Sequence, residues 1–202
     1  MVERVIEPEV EFFEELSEVL LELSPGAFTQ AAELLFRATV EGRRIYSFGN
    51  GGSATTASHL VCDLTKTARL PGLPAARASA LTDNVASLTA WGNDAAFESV
   101  FAEQLASVLE PGDVAFAISV SGRSPNVVLG LEVARDHEAS TVLLTGGDLP
   151  LAYEDLADVV LQVPSSDFGV VESAHVAIVH ALVRALTARL QGLGDLIGSD
   201  LD

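Results

Sequence analysis

Val114-Ala115-Phe116-Ala117-Ile118-Ser119 is an apolar, strand-like run, and Val120-Ser121-Gly122-Arg123-Ser124-Pro125 follows it directly. Pro125 behind Ser124 marks a helix start, since proline at the first helical position has no N–H to lose and the serine is placed to cap the end. The same order occurs upstream, where the strand-like Arg43 to Phe48 precedes Gly49-Asn50-Gly51-Gly52-Ser53 and a helical run from Ser53. In such loops glycine lets backbone N–H groups approach an anion closely, serine hydroxyls add donors, and the helix start adds unpaired N–H groups and a positive dipole end. Two loops of this kind point to a phosphorylated small molecule.

Working outward, helical and strand signals alternate. Pro8 to Ser24 and Ala27 to Glu41 read as two leading helices, with strands predicted at 43–48, 75–81, 114–119, 140–145 and 159–163. Helices are predicted at 83–90, 94–109, 124–137 and near 151–157, with a long final one over 170–190. This alternation implies an α/β fold: a doubly wound five-stranded parallel sheet with an N-terminal helical extension. Ligands in such sheets lie at the carboxyl ends of the strands, where both serine loops fall. Gly146-Gly147-Asp148 supplies a third tight turn at that edge. The chain reads as one domain, with 1–42 as helices for oligomer packing, 43–192 as the sheet domain and 193–202 as a flexible tail.

Composition narrows the function classes. At 202 residues, 49% hydrophobic and 20% charged, the chain is long enough to bury roughly 70% of its unfolded surface. Its formal charge of −18, with 11 basic residues, argues against a nucleic-acid partner, whose phosphates need clustered Lys and Arg. Neither a leader pattern nor an apolar run of about 20 residues is evident, so neither a membrane partner nor export is expected. A single cysteine, Cys62, agrees with a reducing, cytoplasmic setting.

Gly49-Asn50-Gly51-Gly52-Ser53-Ala54 also matches the dinucleotide fingerprint, but the second strand ends Ala78-Ser79-Ala80-Leu81, without the acidic residue a nicotinamide site usually has there. No Gly-Lys-Ser/Thr follows either, which excludes an ATP-type phosphate loop. Beyond the first loop, His59 and Asp63 share a helix face at i, i+4, a spacing that suits two ligands of one metal or an acid and base acting together. Cys62 reads as a packing residue. On the final helix Glu172, His175 and His180 interrupt a small and apolar sequence, and polar groups on such a face need partners or a function. Glu172 and His180 project about 80° apart and can line one cavity. His175 reads as a helix–helix hydrogen bonder, and His137 as a solvated helix end.

Four stretches together resemble the sugar isomerase (SIS) domain family and, within it, the phosphoheptose isomerases: Gly49 to Ser53 with His59, Leu81-Thr82-Asp83-Asn84 with Asn93-Asp94, Ser119 to Asn126, and Glu172 to His180. The resemblance implies a flavodoxin-like SIS fold, a homotetramer, and ketose–aldose isomerisation of sedoheptulose 7-phosphate through a cis-enediol. It implies that Gly51, Gly52, Ser53, Ser119, Ser121 and Ser124 hold the phosphate, that Asn50 contacts the sugar and that Asp94 belongs to the site. It further implies zinc held by His59, Asp63, Glu172 and His180, with His180, Asp63 and Glu172 as the catalytic set. Two of these positions depart from the family pattern: Asp63 stands where the isomerases have glutamate and Glu172 where they have glutamine. The alternative is a non-catalytic SIS protein that binds phosphosugars or a replication initiator.

Overall fold

Every residue of the central strand β3 (Val114–Ser119) is buried, as an apolar strand covered on both faces requires. A computed structural model describes residues 7–147 and 156–199 of the chain, with 197–199 as backbone. Around β3 lie β1 (Arg44–Gly49), β2 (Arg77–Ala80), β4 (Ser140–Thr145) and β5 (Val159–Gln162). All pairings are parallel, in the order β2-β1-β3-β4-β5. The expected doubly wound sheet is present. Strand order reverses between β1 and β3, so helices following these two strands leave on opposite faces and a crevice opens between them.

Alternation along the strands sorts the core into two layers. Ile45, Val114, Phe116, Ile118, Val142 and Leu144 face α2 (Pro25–Val40), α3 (Gly52–Cys62) and α7 (Phe168–Ser199). Phe48, Ala115, Ala117 and Leu143 face α5 (Val100–Ala106) and α6 (Pro125–Asp136). Helix α1 (Pro8–Leu21) packs on α7, and α4 (Val85–Asp94) leads through a 3₁₀ turn at Phe97–Ser99 into α5. The expected helix over 94–109 is therefore divided.

Of the leading helices, α2 buries Ala31, Ala32, Leu35 and Ala38 in the chain's own core and leaves Val40 exposed, while α1 leaves Val10, Phe13 and Leu21 exposed. Two further expectations change. The tail assigned to 193–202 is helical as far as Ser199. A Cβ at Gly194 would stand 3.1 Å from Leu73, whereas Gly192 has open space around it; each glycine costs a helix interior about 1 kcal/mol relative to alanine, and the helix continues through both. By length and hydropathy α7 also passes as a membrane span, against expectation; half of its apolar window is buried inside the protein, as for a core helix. The short helix near 151–157 and Asp148 of the third turn fall largely outside the described residues.

Gly130, in the middle of α6, is held by the second layer. A Cβ there would stand 2.9 Å from Cε2 of Phe48, whose ring is fully buried and packed on Phe101 with centroids 5.2 Å apart. Gly130→Ala is expected to destabilise the protein by about 1–3 kcal/mol through overpacking, although alanine is the better helix former by about 1 kcal/mol. A lower midpoint in urea unfolding checks this; a raised midpoint contradicts it.

Candidate functional site

Gly49, the last residue of β1, lies beside Ile118 of β3, so the two serine loops leave the sheet as neighbours. A Cβ at Gly49 would stand 2.5 Å from the Ile118 carbonyl oxygen and 2.8 Å from Cβ of Ser53; only glycine permits that approach. Gly51 (φ +53°) and Gly122 (φ +62°) turn the two loops through the left-handed region, which L side chains rarely adopt. The loops are then tied together by a reciprocal amide pair: Asn50 Nδ2 donates to Asn126 Oδ1 and Asn126 Nδ2 donates to Asn50 Oδ1, each at 2.9 Å. Asn126 is buried, so the pair is shielded from competing water.

Within this cradle Ser119 and Ser124 place their hydroxyl oxygens 3.4 Å apart. Ser124 occupies the N-cap position of α6, but its side chain makes no capping bond; the expected cap is absent, and the hydroxyl lies towards Ser119 instead. Ser121 accepts the Arg123 N–H at 3.2 Å and shapes the turn. Ser53 is buried in the first turn of α3, where helical geometry leaves backbone N–H groups unpaired and the dipole is positive. The third turn braces the second loop through Gly146 N–H to the Val120 carbonyl, 2.9 Å.

A second cluster stands farther along α3, in its continuation and on α7. One ligand atom each from His59, Asp63 and His180 lies within 4.8 Å of the others. Asp63 Oδ2 is 3.1 Å from His180 Nδ1 and 3.5 Å from His59 Nε2, and the two rings meet edge-on with centroids 4.7 Å apart. Two imidazoles and a carboxylate form a donor set that could hold a divalent transition metal. Glu172 is not in this group. Its carboxylate fills the space in which a Cβ of Gly52 would lie, at the start of α3, where a negative charge is favoured. Glu172 beside Gly52 and His180 beside Asp63 mean that α3 and α7 lie side by side and run in the same direction.

Other sequence-predicted residues fall elsewhere. Asp94, exposed at the end of α4, accepts a hydrogen bond from Asn93 Nδ2 at 2.7 Å and, among the described residues, makes no hydrogen bond to the cradle. Cys62 is exposed rather than packed. His137 ends α6, its ring on the Val133 carbonyl. His175 is buried, and neither ring nitrogen makes a hydrogen bond, so it is not the helix–helix bonder expected from sequence. Sequence reasoning gave no role to Asn126, in the first turn of α6, and missed Thr67, whose hydroxyl donates to Asp63 Oδ1 at 2.9 Å.

The architecture defines a class: residues 11–146 match the family model described as SIS domain, and the chain belongs to that family. Among its relatives, the phosphoheptose isomerase of Geotalea daltonii is 40% identical over 173 residues, 85% of this chain and 88% of that protein. That of Bordetella avium is 40% identical over 164 residues, 80% and 83% of the two chains. The solved phosphoheptose isomerase from Francisella tularensis superposes with a TM-score of 0.78 at 31% identity, covering 88% of this chain and 95% of that one.

Desolvation by burial lowers the His175 pKa to about 4. The unfolded chain then takes up a proton near pH 6.5 that the native protein refuses until about pH 4. The stability associated with neutral His175 is full above pH 6.5 and is lost as the pH falls towards 4, by about 3 kcal/mol in all. Urea unfolding across this range is expected to show a shallower pH slope for His175→Leu than for the wild type. Identical slopes contradict the assignment.

Proposed function

We propose that the protein is an aldose–ketose isomerase that interconverts sedoheptulose 7-phosphate and a heptose 7-phosphate through a cis-enediol. The observation that carries this reading is a single track along α3 and α7, with the serine cradle at one end and the Asp63–His180–His59 group farther along. From Ser53 to His59 the helix rises roughly 9 Å, a span that suits the carbon chain of a long sugar whose phosphate is anchored at the far end. Kinship with phosphoheptose isomerases supports the choice of substrate.

In this reading Ser53, Ser119, Ser121 and Ser124, together with the starts of α3 and α6, hold the phosphate. Binding energy from that remote group orients the reacting carbons. Asp63 Oδ2 takes the proton from the carbon next to the carbonyl, and His180 donates a proton to the carbonyl oxygen, which yields the enediol. Return of the first proton to the neighbouring carbon, with loss of the other hydroxyl proton to the imidazole, gives the isomeric sugar. Glu172, beside Gly52, is a second carboxylate within the track and the alternative base. Zinc held by His59, Asp63 and His180, with Glu172 as a further candidate ligand, would supply Lewis-acid stabilisation of the negative oxygens. Asp94 and Asn50 are retained as candidate sugar contacts.

The His180 side chain is 52% exposed, and proton abstraction at carbon benefits from a site closed to water. This supports a homotetramer in which a neighbouring copy covers the track, with the exposed Phe13 and Leu21 of α1 as contact residues. The single cysteine supports a cytoplasmic setting.

His180→Ala is expected to lower turnover of sedoheptulose 7-phosphate by at least about 100-fold while calorimetric binding of the sugar phosphate stays within a few-fold of wild type. Undiminished turnover contradicts the role of His180. A wild-type protein that binds the ester without converting it supports the non-catalytic alternative.

A further inference from the structure

Asp63 begins a π-helical segment, Asp63–Thr67, that continues α3. Widening of the turn lets Ala68 N–H reach back five residues to the Asp63 carbonyl at 2.9 Å. Such segments are rare and occur often at functional sites. Elsewhere in this chain Thr29, Thr39, Thr65, Thr89 and Thr187, all in helical segments, donate their hydroxyls to the backbone carbonyl four residues earlier. Thr67 departs from that habit: its hydroxyl goes to the side chain four residues earlier, Asp63 Oδ1, at 2.9 Å.

We infer that Thr67 is a positioning residue that locks the Asp63 carboxylate so that a single oxygen, Oδ2, faces the two histidines. The inference rests on the isomerase reading above and deepens it. The terminal torsion of an aspartate is broad and roughly two-fold, so an unrestrained carboxylate presents either oxygen, or both, to its neighbours. With Oδ1 engaged by Thr67, Oδ2 is the oxygen left 3.1 Å from His180 Nδ1 and 3.5 Å from His59 Nε2. The bond is charge-assisted, hence stronger than a neutral one. An aspartate has one methylene less than a glutamate with which to reach across the track. Fixing its rotation ensures that the limited reach is spent in one direction.

Thr67 is exposed on the single chain, so Thr67→Val, which keeps the shape and removes the hydroxyl, leaves the fold intact. Zn²⁺ affinity, read by competition with a chromogenic chelator, is expected to weaken about tenfold in Thr67→Val, as for loss of a partner that orients a metal ligand. Turnover of sedoheptulose 7-phosphate is expected to fall by a similar factor through kcat, with KM within about twofold because the phosphate cradle is untouched. Thr67→Ser, which restores the hydroxyl, is expected to bring both values to within about threefold of wild type. Metal affinity unchanged in Thr67→Val, or Thr67→Ser failing to recover it, overturns the inference, as does a wild-type protein that binds no Zn²⁺. Metal affinity that depends on Thr67 in a protein without turnover upholds the positioning role and overturns the isomerase reading.

Discussion

The reversal of winding between β1 and β3 is the constraint from which the site follows. Helix α3 leaves β1 on one face of the sheet and α6 leaves β3 on the other, while the strand ends stay adjacent through Gly49 and Ile118. Two helix starts therefore diverge around one crevice, and each brings a serine-bearing loop to it. The reciprocal Asn50–Asn126 pair converts this proximity into a fixed spacing. The pair is costly to break at Asn50, because the buried Asn126 then loses its partner without gaining water.

The proposed anion site sits in a chain of formal charge −18, which sets near charges against far ones. Solvent-exposed carboxylates beyond about 8 Å are largely screened at physiological ionic strength. Each helix start offers the equivalent of roughly half a positive charge through N–H groups that a bound anion would touch directly. In the proposed reading these local donors outweigh the net charge. Glu172 is the exception close at hand, since its carboxylate already lies at the start of α3 against Gly52. Its position ties the start of α3 to α7, the helix that carries His180.

What the sequence disclosed followed the range of the interactions involved. Strands β3 and β4 were legible to the residue, because a continuous apolar run records burial on both faces. The serine loops and the i, i+4 pair His59–Asp63 were legible because their geometry is local. Interactions across elements were not. Nothing in the spacing of Asn50 and Asn126 announces an amide pair spanning two loops, and the π-helical turn that gives Thr67 its partner leaves no periodic trace. The end of the final helix was not legible: the expectation stops it near 190, whereas it continues to Ser199, with Gly194 close against Leu73. His175 was recognised as anomalous, but its lack of a bonding partner is visible only in three dimensions.

A crystal structure of the protein grown with sedoheptulose 7-phosphate tests the convergence of the two loops most directly. The phosphate is expected between them, contacted at once by Ser53 at the start of α3 and by Ser119 and Ser124 of the second loop, with the carbonyl end of the sugar towards Asp63 and His180. A phosphate held by one loop alone, or bound outside the β1–β3 crevice, would contradict the account.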